Sequence, residues 1–380
     1  MSTVLAIVFW TSVALIVYTH LGYPLLLRAL TALGAGRGRK EAQPLGDEDL
    51  PSVSLIVAAY DEEAVIAEKV ENALALDYPR DRLQVIVASD GSADATVERA
   101  RAAGADLILD LERIGKVSAQ NAAAEQAGGE ILAFSDANSS WEPGALRRLV
   151  ARFADPGVAY VCGQVRFLDA GGDNLEGAYW HYEMAVREME SGLGGVTAGN
   201  GAIYAVRAGA YLPLPPAGSH DLSFPFELAR RGHRSVYEPQ ARASERMVPT
   251  LGGEFARKRR MMVGLWDIVI GERMASPRGY RPLFAFQLAS HRLLRYLSPL
   301  LHLLALATNL ALLGEGKVYA ATLAIQLALL ASALLAPVLP LPPLRLARYY
   351  VTVTASIAAG LWDRLRHGSA GTWEKSEGTR

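Results

Sequence analysis

The stretch Ile131 to Pro143, with the sequence ILAFSDANSSWEP, decides how the rest of the chain is interpreted. Its first five residues are apolar apart from the last and predict a buried strand. A polar loop led by Asp136 and Asn138 follows, and a helix can start at Pro143. A carboxylate at the C-terminal end of a parallel strand lies where open α/β sheets bind their ligands. The loop can therefore supply oxygen ligands for Mg2+ or Mn2+, but taken alone it fits a simple Asx-type turn better, and the rest of the chain decides between the two.

Strands and helices alternate along the chain from Pro51 onward. Four apolar runs predict strands, and the segments between them carry apolar residues at helical spacing. The strand sequences are VSLIVAAY, LQVIVAS, ADLILDL and EILAFS, beginning at Val53, Leu83, Ala105 and Glu130. Short connections between alternating strands and helices predict an α/β fold with a parallel sheet covered on both faces. This architecture is typical of nucleotide-binding proteins, although fold alone does not establish the chemistry.

Charge and cysteine content narrow the classes of partner. The formal net charge of −1 does not favour nucleic acid or an acidic macromolecule, and we expect no nucleic-acid partner. Cys162 is the one cysteine of this sequence and lies in an apolar run, so no disulfide framework can form. This composition suits a domain that faces a reducing compartment.

Several long apolar segments predict membrane-spanning helices. Residues Val4 to Leu27 reach the ~20 residues that a helix needs to cross the hydrocarbon core, with a cleaved signal peptide as the alternative. Basic residues follow this segment but do not precede it, which places the N-terminus outside and the next domain in the cytoplasm. Two more spans are expected at Leu300 to Leu313 and Val318 to Leu335. Tyr349 to Trp362 is too short for a confident span, so a fourth crossing is the alternative.

The sequence therefore predicts six consecutive units. They are an N-terminal transmembrane helix (1–30), a linker (31–50), a cytoplasmic α/β domain (51–275), an amphipathic interfacial segment (276–298), transmembrane or interfacial helices (299–363) and a tail (364–380). The basic residues of linker and tail agree on the cytoplasmic side only if there are three spans. We expect a multi-pass protein of the inner (plasma) membrane that contacts membrane lipid.

Further polar stretches fall at loop positions near the edge of the predicted sheet that carries Asp136. Tyr60 and Glu62 follow the first strand, and Asp90 follows the second. Lys116 opens a helix, where backbone amides and an ammonium group can face an anion. The last two stretches are His220-Asp221 and the basic run Arg257-Lys258-Arg259-Arg260. Each alone fits a turn, a cap or a solvated face, but together they predict a nucleoside-diphosphate site with a general base.

In combination these motifs resemble those of membrane-bound family 2 glycosyltransferases with a GT-A fold, in the group of cellulose, chitin and hyaluronan synthases. The resemblance covers roughly Val53 to Arg295 and the flanking membrane segments. Tyr60 and Glu62 match a Tyr-Asn-Glu-type motif that contacts the nucleotide. An Asp-Asp-Gly-Ser motif that contacts uracil matches Ser89 to Ser92, which implies Asp90 as the base contact.

The resemblance also implies roles for the central motifs. Lys116 corresponds to a lysine near the diphosphate, so it joins the nucleotide-sugar-binding residues. Asp136 and Asn138 represent the family's Asp-x-Asp metal motif, in which Asn138 carries one negative charge less. Asp221 resembles the catalytic base of a Glu-Asp-type motif. His220, with a side chain that titrates near neutral pH, is the alternative base.

A Gln-x-x-Arg-Trp motif, which cradles the pyrophosphate and acceptor in processive synthases, is only partly present. Arg260 keeps its arginine, whereas Arg257 replaces the Gln and Met261 replaces the Trp. The resemblance implies that Arg257 and Arg260 contact the nucleotide-sugar, but the two replacements leave processive synthesis open.

The resemblance implies an inverting glycosyltransferase that transfers sugar from a nucleotide-sugar, expected to be a UDP-sugar, to a saccharide or lipid-linked acceptor. Such an enzyme would serve polysaccharide or glycolipid synthesis. One alternative is a catalytically silent scaffold with the same fold, which Asn138 and Met261 favour. Another is a nucleotide-binding protein associated with a transporter, but its spans should carry ionisable residues, and Leu300 to Leu335 holds only His302 within a predicted span.

Overall fold

The computed structural model describes residues 2–34, 45–168, 175–246, 259 and 261–368. These residues form one eight-stranded sheet. Its strands are β1 (Val53–Ala59), β2 (Leu83–Asp90), β3 (Leu107–Leu111), β4 (Ile131–Asp136), β5 (Ser140–Trp141), β6 (Val158–Leu168), β7 (Tyr204–Arg207) and β8 (Arg234–Arg246). They lie in the order β3-β2-β1-β4-β7-β6-β8-β5. The predicted α/β architecture is therefore confirmed.

The first half of the sheet is parallel, as the sequence predicts. β1 pairs in parallel with β2 and β4, and β2 pairs in parallel with β3. Every residue of β1 is buried, because Leu55 and Ile56 pack into clusters on opposite faces. The covering helices are α2 (Ile66–Leu74), α3 (Thr96–Ala102), α4 (Lys116–Glu125) and α5 (Ala145–Ala151).

The second half of the sheet is mixed and was not fully predicted. β7 runs antiparallel to both β4 and β6, and β8 pairs in parallel with β6. The sequence does not predict β8, because Pro239 and several charged residues interrupt its alternation. Two helices cover this half, α6 (Leu175–Leu193) and α7 (His220–Arg230).

Three helices of the described residues are long and apolar enough to cross a membrane, which agrees with the three predicted spans. They are α1 (Ser2–Ala32), α9 (Pro282–Ala311) and α10 (Lys317–Leu335). The helix α9 runs without a break through position 298, where the sequence placed the end of an interfacial segment. Which part of α9 lies at the interface stays a prediction. The remaining helices are α8 (Met261–Gly271) and α11 (Pro342–His367).

A buried ionic cluster joins the membrane helices to the sheet domain. Glu190 of α6 accepts a hydrogen bond of 2.7 Å from the Tyr23 hydroxyl and lies 2.8 Å from Nδ1 of His291. Glu183, about two turns before Glu190 in α6, forms an ion pair with Arg295 of α9 at 2.5 Å. Burial raises the pKa of Glu183, but Arg295 and His291 outweigh burial and hold that pKa well below its usual range. The carboxylates therefore stay ionised and hold α1, α6 and α9 together.

The helix α11 packs closely against α8. The Trp266 indole donates a hydrogen bond of 3.1 Å to the Ile357 carbonyl, and Arg364 pairs with Asp267 at 2.6 Å. A Cβ atom added at Gly360 would lie 2.5 Å from Cβ of Met262, so the two helices meet where only glycine fits.

We expect Gly360→Ala to destabilise the protein by about 1–3 kcal/mol, because the added methyl group overpacks the contact between α8 and α11. Thermal unfolding in detergent measures the effect as a lower Tm. Gly264→Ala, in the same helix α8, is the matched control, since a Cβ atom there meets nothing within 4 Å. Equal Tm values for the two variants would contradict the described packing.

Candidate active site

The register of the parallel strands brings the predicted polar residues to one edge of the sheet. Ala58 of β1 lies opposite Asp136 of β4, and Ala59 lies opposite Ser89 of β2. Residues that follow these strands therefore share one cleft. Tyr60, Asp90 and Asp136 all end or follow strands at this edge.

Asp90 is buried at one end of the cleft, with 1% of its surface exposed. Its Oδ1 atom accepts hydrogen bonds from the backbone N–H groups of Ile114, at 2.7 Å, and Gly115, at 2.8 Å. Its Oδ2 atom is buried and accepts no hydrogen bond from the described residues, although Arg113 lies 3.5 Å away. One carboxylate oxygen thus anchors the loop before α4, and the other can accept a hydrogen bond from a ligand.

Arg113 completes this end of the cleft and was missed by the sequence analysis. Its guanidinium carbon lies 3.2 Å from the centroid of the Tyr60 ring. The loop that carries Arg113 can approach the end of β2 this closely because position 91 is glycine with a φ of +70°. A Cβ atom there would lie 2.8 Å from the backbone nitrogen of Arg113. A cation and an aromatic ring in contact provide planar groups against which a nucleobase can stack. The sequence signal that could have indicated Arg113 is a second cation three residues before Lys116.

The loop after β1 is fixed by hydrogen bonds to the loop after β2. The Glu62 N–H donates to the Thr96 hydroxyl at 2.8 Å, and Asp61 accepts from the Ala93 N–H at 2.9 Å. Asp61 has a φ of 48°, a conformation that Asn and Asp tolerate better than most residues. Glu62 is buried. Its backbone N–H helps to fix the loop through Thr96. The predicted contact of Glu62 with the nucleotide stays a prediction.

Asp136 and Lys116 form an ion pair in the middle of the cleft, between the end of β4 and the start of α4. Burial lowers the pKa of Lys116, but the Asp136 carboxylate outweighs burial and the net pKa is raised. Asn138 follows two residues later and is partly exposed. No group of three His, Cys, Asp or Glu residues that could hold a metal occurs within the described ranges. One carboxylate and one amide suit a hard cation whose remaining ligands are phosphate and water.

Hydrogen bonds to α2 and to the segment before β7 hold the loop that carries Asp136 in place. The Lys69 ammonium group of α2 donates a hydrogen bond of 2.7 Å to the Ser139 carbonyl. Burial lowers the pKa of Lys69 to about 7. The Ala202 carbonyl accepts from the Trp141 indole at 2.9 Å and from the Ser135 hydroxyl at 3.2 Å. These contacts fix the loop against α2 and β7. The sequence did not indicate Lys69, because a lysine on an amphipathic helix normally faces solvent.

Asp221 lies in the first turn of α7 and is partly exposed. Its carbonyl accepts a 2.6 Å hydrogen bond from the Gly199 N–H, and its carboxylate accepts one from the Ser219 hydroxyl. Two residues after Gly199, a Cβ atom at Gly201 would lie 3.5 Å from Oδ2 of Asp136 and 3.8 Å from the Lys116 ammonium nitrogen. Residues 199–201 therefore connect Asp221 with the ion pair of Lys116 and Asp136.

The surroundings of His220 do not suit a general base. It is 4% exposed, its Nδ1 atom lies 2.6 Å from the Tyr204 hydroxyl, and its ring contacts Phe134, Tyr211 and Phe224. Burial, and then the Lys116 charge, lower the pKa of His220 to about 3. A neutral imidazole enclosed by aromatic rings is a core residue, and the predicted base role of Asp221 stays a prediction.

Arg257 and Arg260 lie outside the described residues, so their predicted contacts with the nucleotide-sugar stay predictions. The neighbouring Arg259 pairs with Asp363 of α11 through bonds of 2.6 and 2.7 Å. Trp266 is buried against Ile357 and does not replace the tryptophan of the motif.

Family models match most of the chain. A model described as glycosyl transferase family group 2 matches residues 131–353, and one described as glycosyl transferase family 2 matches residues 54–205. The chain belongs to glycosyltransferase family 2. This membership confirms the resemblance drawn from the motifs.

Two curated relatives of this family 2 member come from an archaeon and a bacterium. Glycosyltransferase AglE of Haloferax volcanii is 32% identical over 135 residues, which are 34% of this chain and 44% of AglE. Poly-beta-1,6-N-acetyl-D-glucosamine synthase of Staphylococcus aureus is 24% identical over 252 residues, 62% of this chain and 60% of the synthase. The matches span less than two thirds of either relative.

One solved structure covers nearly the whole family 2 chain. It is mannosyltransferase PcManGT from Pyrobaculum calidifontis in complex with GDP-Man and Mn2+, with a TM-score of 0.72 and 24% identity. The match covers 94% of this chain and 99% of that chain. At this identity the likeness shows the fold, and it confirms the predicted GT-A fold.

The buried state of His220 predicts acid sensitivity. The unfolded chain takes up a proton below a pKa of 6.5, whereas folded His220 stays neutral down to about 3, so stability is lost as the pH falls. Between pH 7.5 and pH 5.5 this residue should lower stability by about 1 kcal/mol. Measured as Tm in detergent, the loss should be smaller in His220→Asn, which keeps an acceptor for Tyr204. The partly exposed His233 gives the control His233→Asn, and a loss unchanged in both variants would contradict this account.

Proposed function

We propose that the chain is a membrane-bound inverting glycosyltransferase that transfers a sugar from a UDP-sugar to a saccharide or lipid-linked acceptor. The observation that carries this proposal is the grouping of Asp136, Lys116 and Asp221 around residues 199–201. These residues supply a metal ligand, a phosphate-binding cation and a general base. Polysaccharide or glycolipid synthesis is the process that such an enzyme would serve.

The Asp90 end of the cleft supports a uracil nucleotide. Oδ1 of Asp90 is occupied by two backbone N–H groups, so Oδ2 remains as a single acceptor. Uracil presents one N–H between two carbonyl oxygens, and Arg113 can donate to a carbonyl beside that N–H. Guanine presents an N–H and an adjacent amino group, which would need two acceptors. The geometry thus favours UDP over GDP, the nucleotide of the PcManGT complex.

The mechanism follows from the charges in the cleft. Asp221 removes the proton of an acceptor hydroxyl, and this oxygen attacks the anomeric carbon from the face opposite the nucleotide. The bond between that carbon and the diphosphate oxygen breaks, and the anomeric configuration inverts. Lys116 stabilises the negative charge of the departing diphosphate. A bound Mg2+ or Mn2+, held by Asp136 and Asn138, would add Lewis-acid stabilisation of the same charge.

We place the enzyme in the inner (plasma) membrane with three spans and a cytoplasmic catalytic domain. The hydropathy of α1, α9 and α10 supports the spans. The contact of α11 with α8 supports a tail on the same side as the catalytic domain. Apolar helices next to the cleft would contact membrane lipid and could hold a lipid-linked acceptor.

Kinetics test the role of Asp221. Asp221→Asn should lower kcat by about 10²–10⁴-fold, since it removes the general base, while the KM for the UDP-sugar changes little. The readout is UDP release from a panel of UDP-sugars with the purified full chain and an acceptor. Asp81→Asn, at an exposed position outside the cleft, is the matched control. Retention of most of the turnover by Asp221→Asn would remove this residue from its role.

Reporter fusions test the topology. Fusions at Gly46 and at the C-terminus should report the same, cytoplasmic side, because three spans return the chain to the side of the catalytic domain. Opposite sidedness would mean that α11 crosses the membrane.

A further inference from the structure

Lys116 neutralises the single carboxylate of the metal-binding loop. Its ammonium group contacts Oδ1 of Asp136 directly. Gly201 lies beside the pair, since a Cβ atom there would lie 3.5 Å from Oδ2 of Asp136 and 3.8 Å from the Lys116 ammonium nitrogen. A metal ion that binds Oδ1 of Asp136 must displace the ammonium group.

The charge of the loop makes this displacement unfavourable without a ligand. Asn138 contributes an amide where a second carboxylate would add charge, so Asp136 paired with Lys116 is a neutral site. A divalent cation gains little from a neutral pair, and it binds well only where negative charge is in excess.

A nucleoside diphosphate would change this balance. Lys116 is the first residue of α4, a helix of ten residues, where backbone N–H groups and the helix dipole also favour phosphate. Phosphate oxygens there give the ammonium group a new partner. They also bring the negative charge that the metal needs, so Asp136 becomes available as the metal arrives.

We propose that Lys116 is an internal counter-ion that keeps divalent metal off Asp136 until the diphosphate of the donor binds. This inference rests on the proposed function, because that function makes Asp136 the metal ligand. It adds an order of binding, in which the nucleotide precedes the metal or arrives with it. The nearby Lys69 differs from Lys116, because its ammonium group donates a hydrogen bond to the Ser139 carbonyl, whereas that of Lys116 contacts the Asp136 carboxylate.

Binding of Mn2+ alone tests the inference. Electron paramagnetic resonance titration of the full chain without nucleotide should show Lys116→Gln binding Mn2+ at least about tenfold more tightly than the wild type. The gain should disappear in the double variant Lys116→Gln/Asp136→Asn. Arg113→Gln is the matched control, since it removes a cation from the cleft that pairs with Asp90. A gain of binding that requires Asp136 cannot result from misfolding.

Each outcome decides the inference separately from the proposed function. No gain in Lys116→Gln overturns it, whether both proteins bind Mn2+ or neither does. A gain that survives the loss of Asp136, or that Arg113→Gln reproduces, overturns it too. The metal dependence of UDP binding by the wild type is measured in parallel by calorimetry. Equal UDP affinity with and without Mn2+ would reject the metal role in the proposed function, whatever the Lys116 variant does.

Discussion

The parallel pairing of β1 with β2 and β4 is the constraint on which the cleft depends. It places Ala58 opposite Asp136 and Ala59 opposite Ser89, so the Asp90 end and the Asp136 end of the cleft are set by backbone hydrogen bonds. Because side chains alternate between faces, a slip of one residue would turn Asp136 to the other side of the sheet. The continuous pairing of β1 with both neighbouring strands holds this register.

The membrane helices are connected to the catalytic residues through continuous contacts. Glu190 holds Tyr23 and His291 from two membrane helices, and it also accepts a 3.0 Å hydrogen bond from the Thr197 hydroxyl. Two residues beyond Thr197, the Gly199 N–H bonds to the carbonyl of Asp221. Asp221, the proposed general base, is thus positioned by the segment that the buried ionic cluster fixes. An acceptor held by the membrane helices would therefore meet a base of fixed position.

The sequence predicted the parts of the fold that local patterns encode. Apolar runs ending in polar residues indicated β1, β2 and β4 together with Asp90 and Asp136, because strand and loop chemistry are local. It did not predict Arg113 as a partner of Tyr60, or Lys69 as a buried brace, because both depend on contacts between separate elements. His291, Arg292 and Arg295 interrupt an otherwise apolar stretch of the sequence. Their partners on α6 became visible only with the helices packed together.

The central claim is that Asp136 and Asp90 hold the two ends of one UDP–metal complex. A structure of the full chain with UDP and Mn2+, with anomalous scattering recorded at the manganese edge, tests it most directly. The account predicts a manganese peak bonded to a carboxylate oxygen of Asp136 and to the diphosphate. It also predicts the uracil N–H on Oδ2 of Asp90, beside Arg113. A manganese ion bound away from Asp136, or a uracil ring that makes no contact with Asp90, would contradict the account.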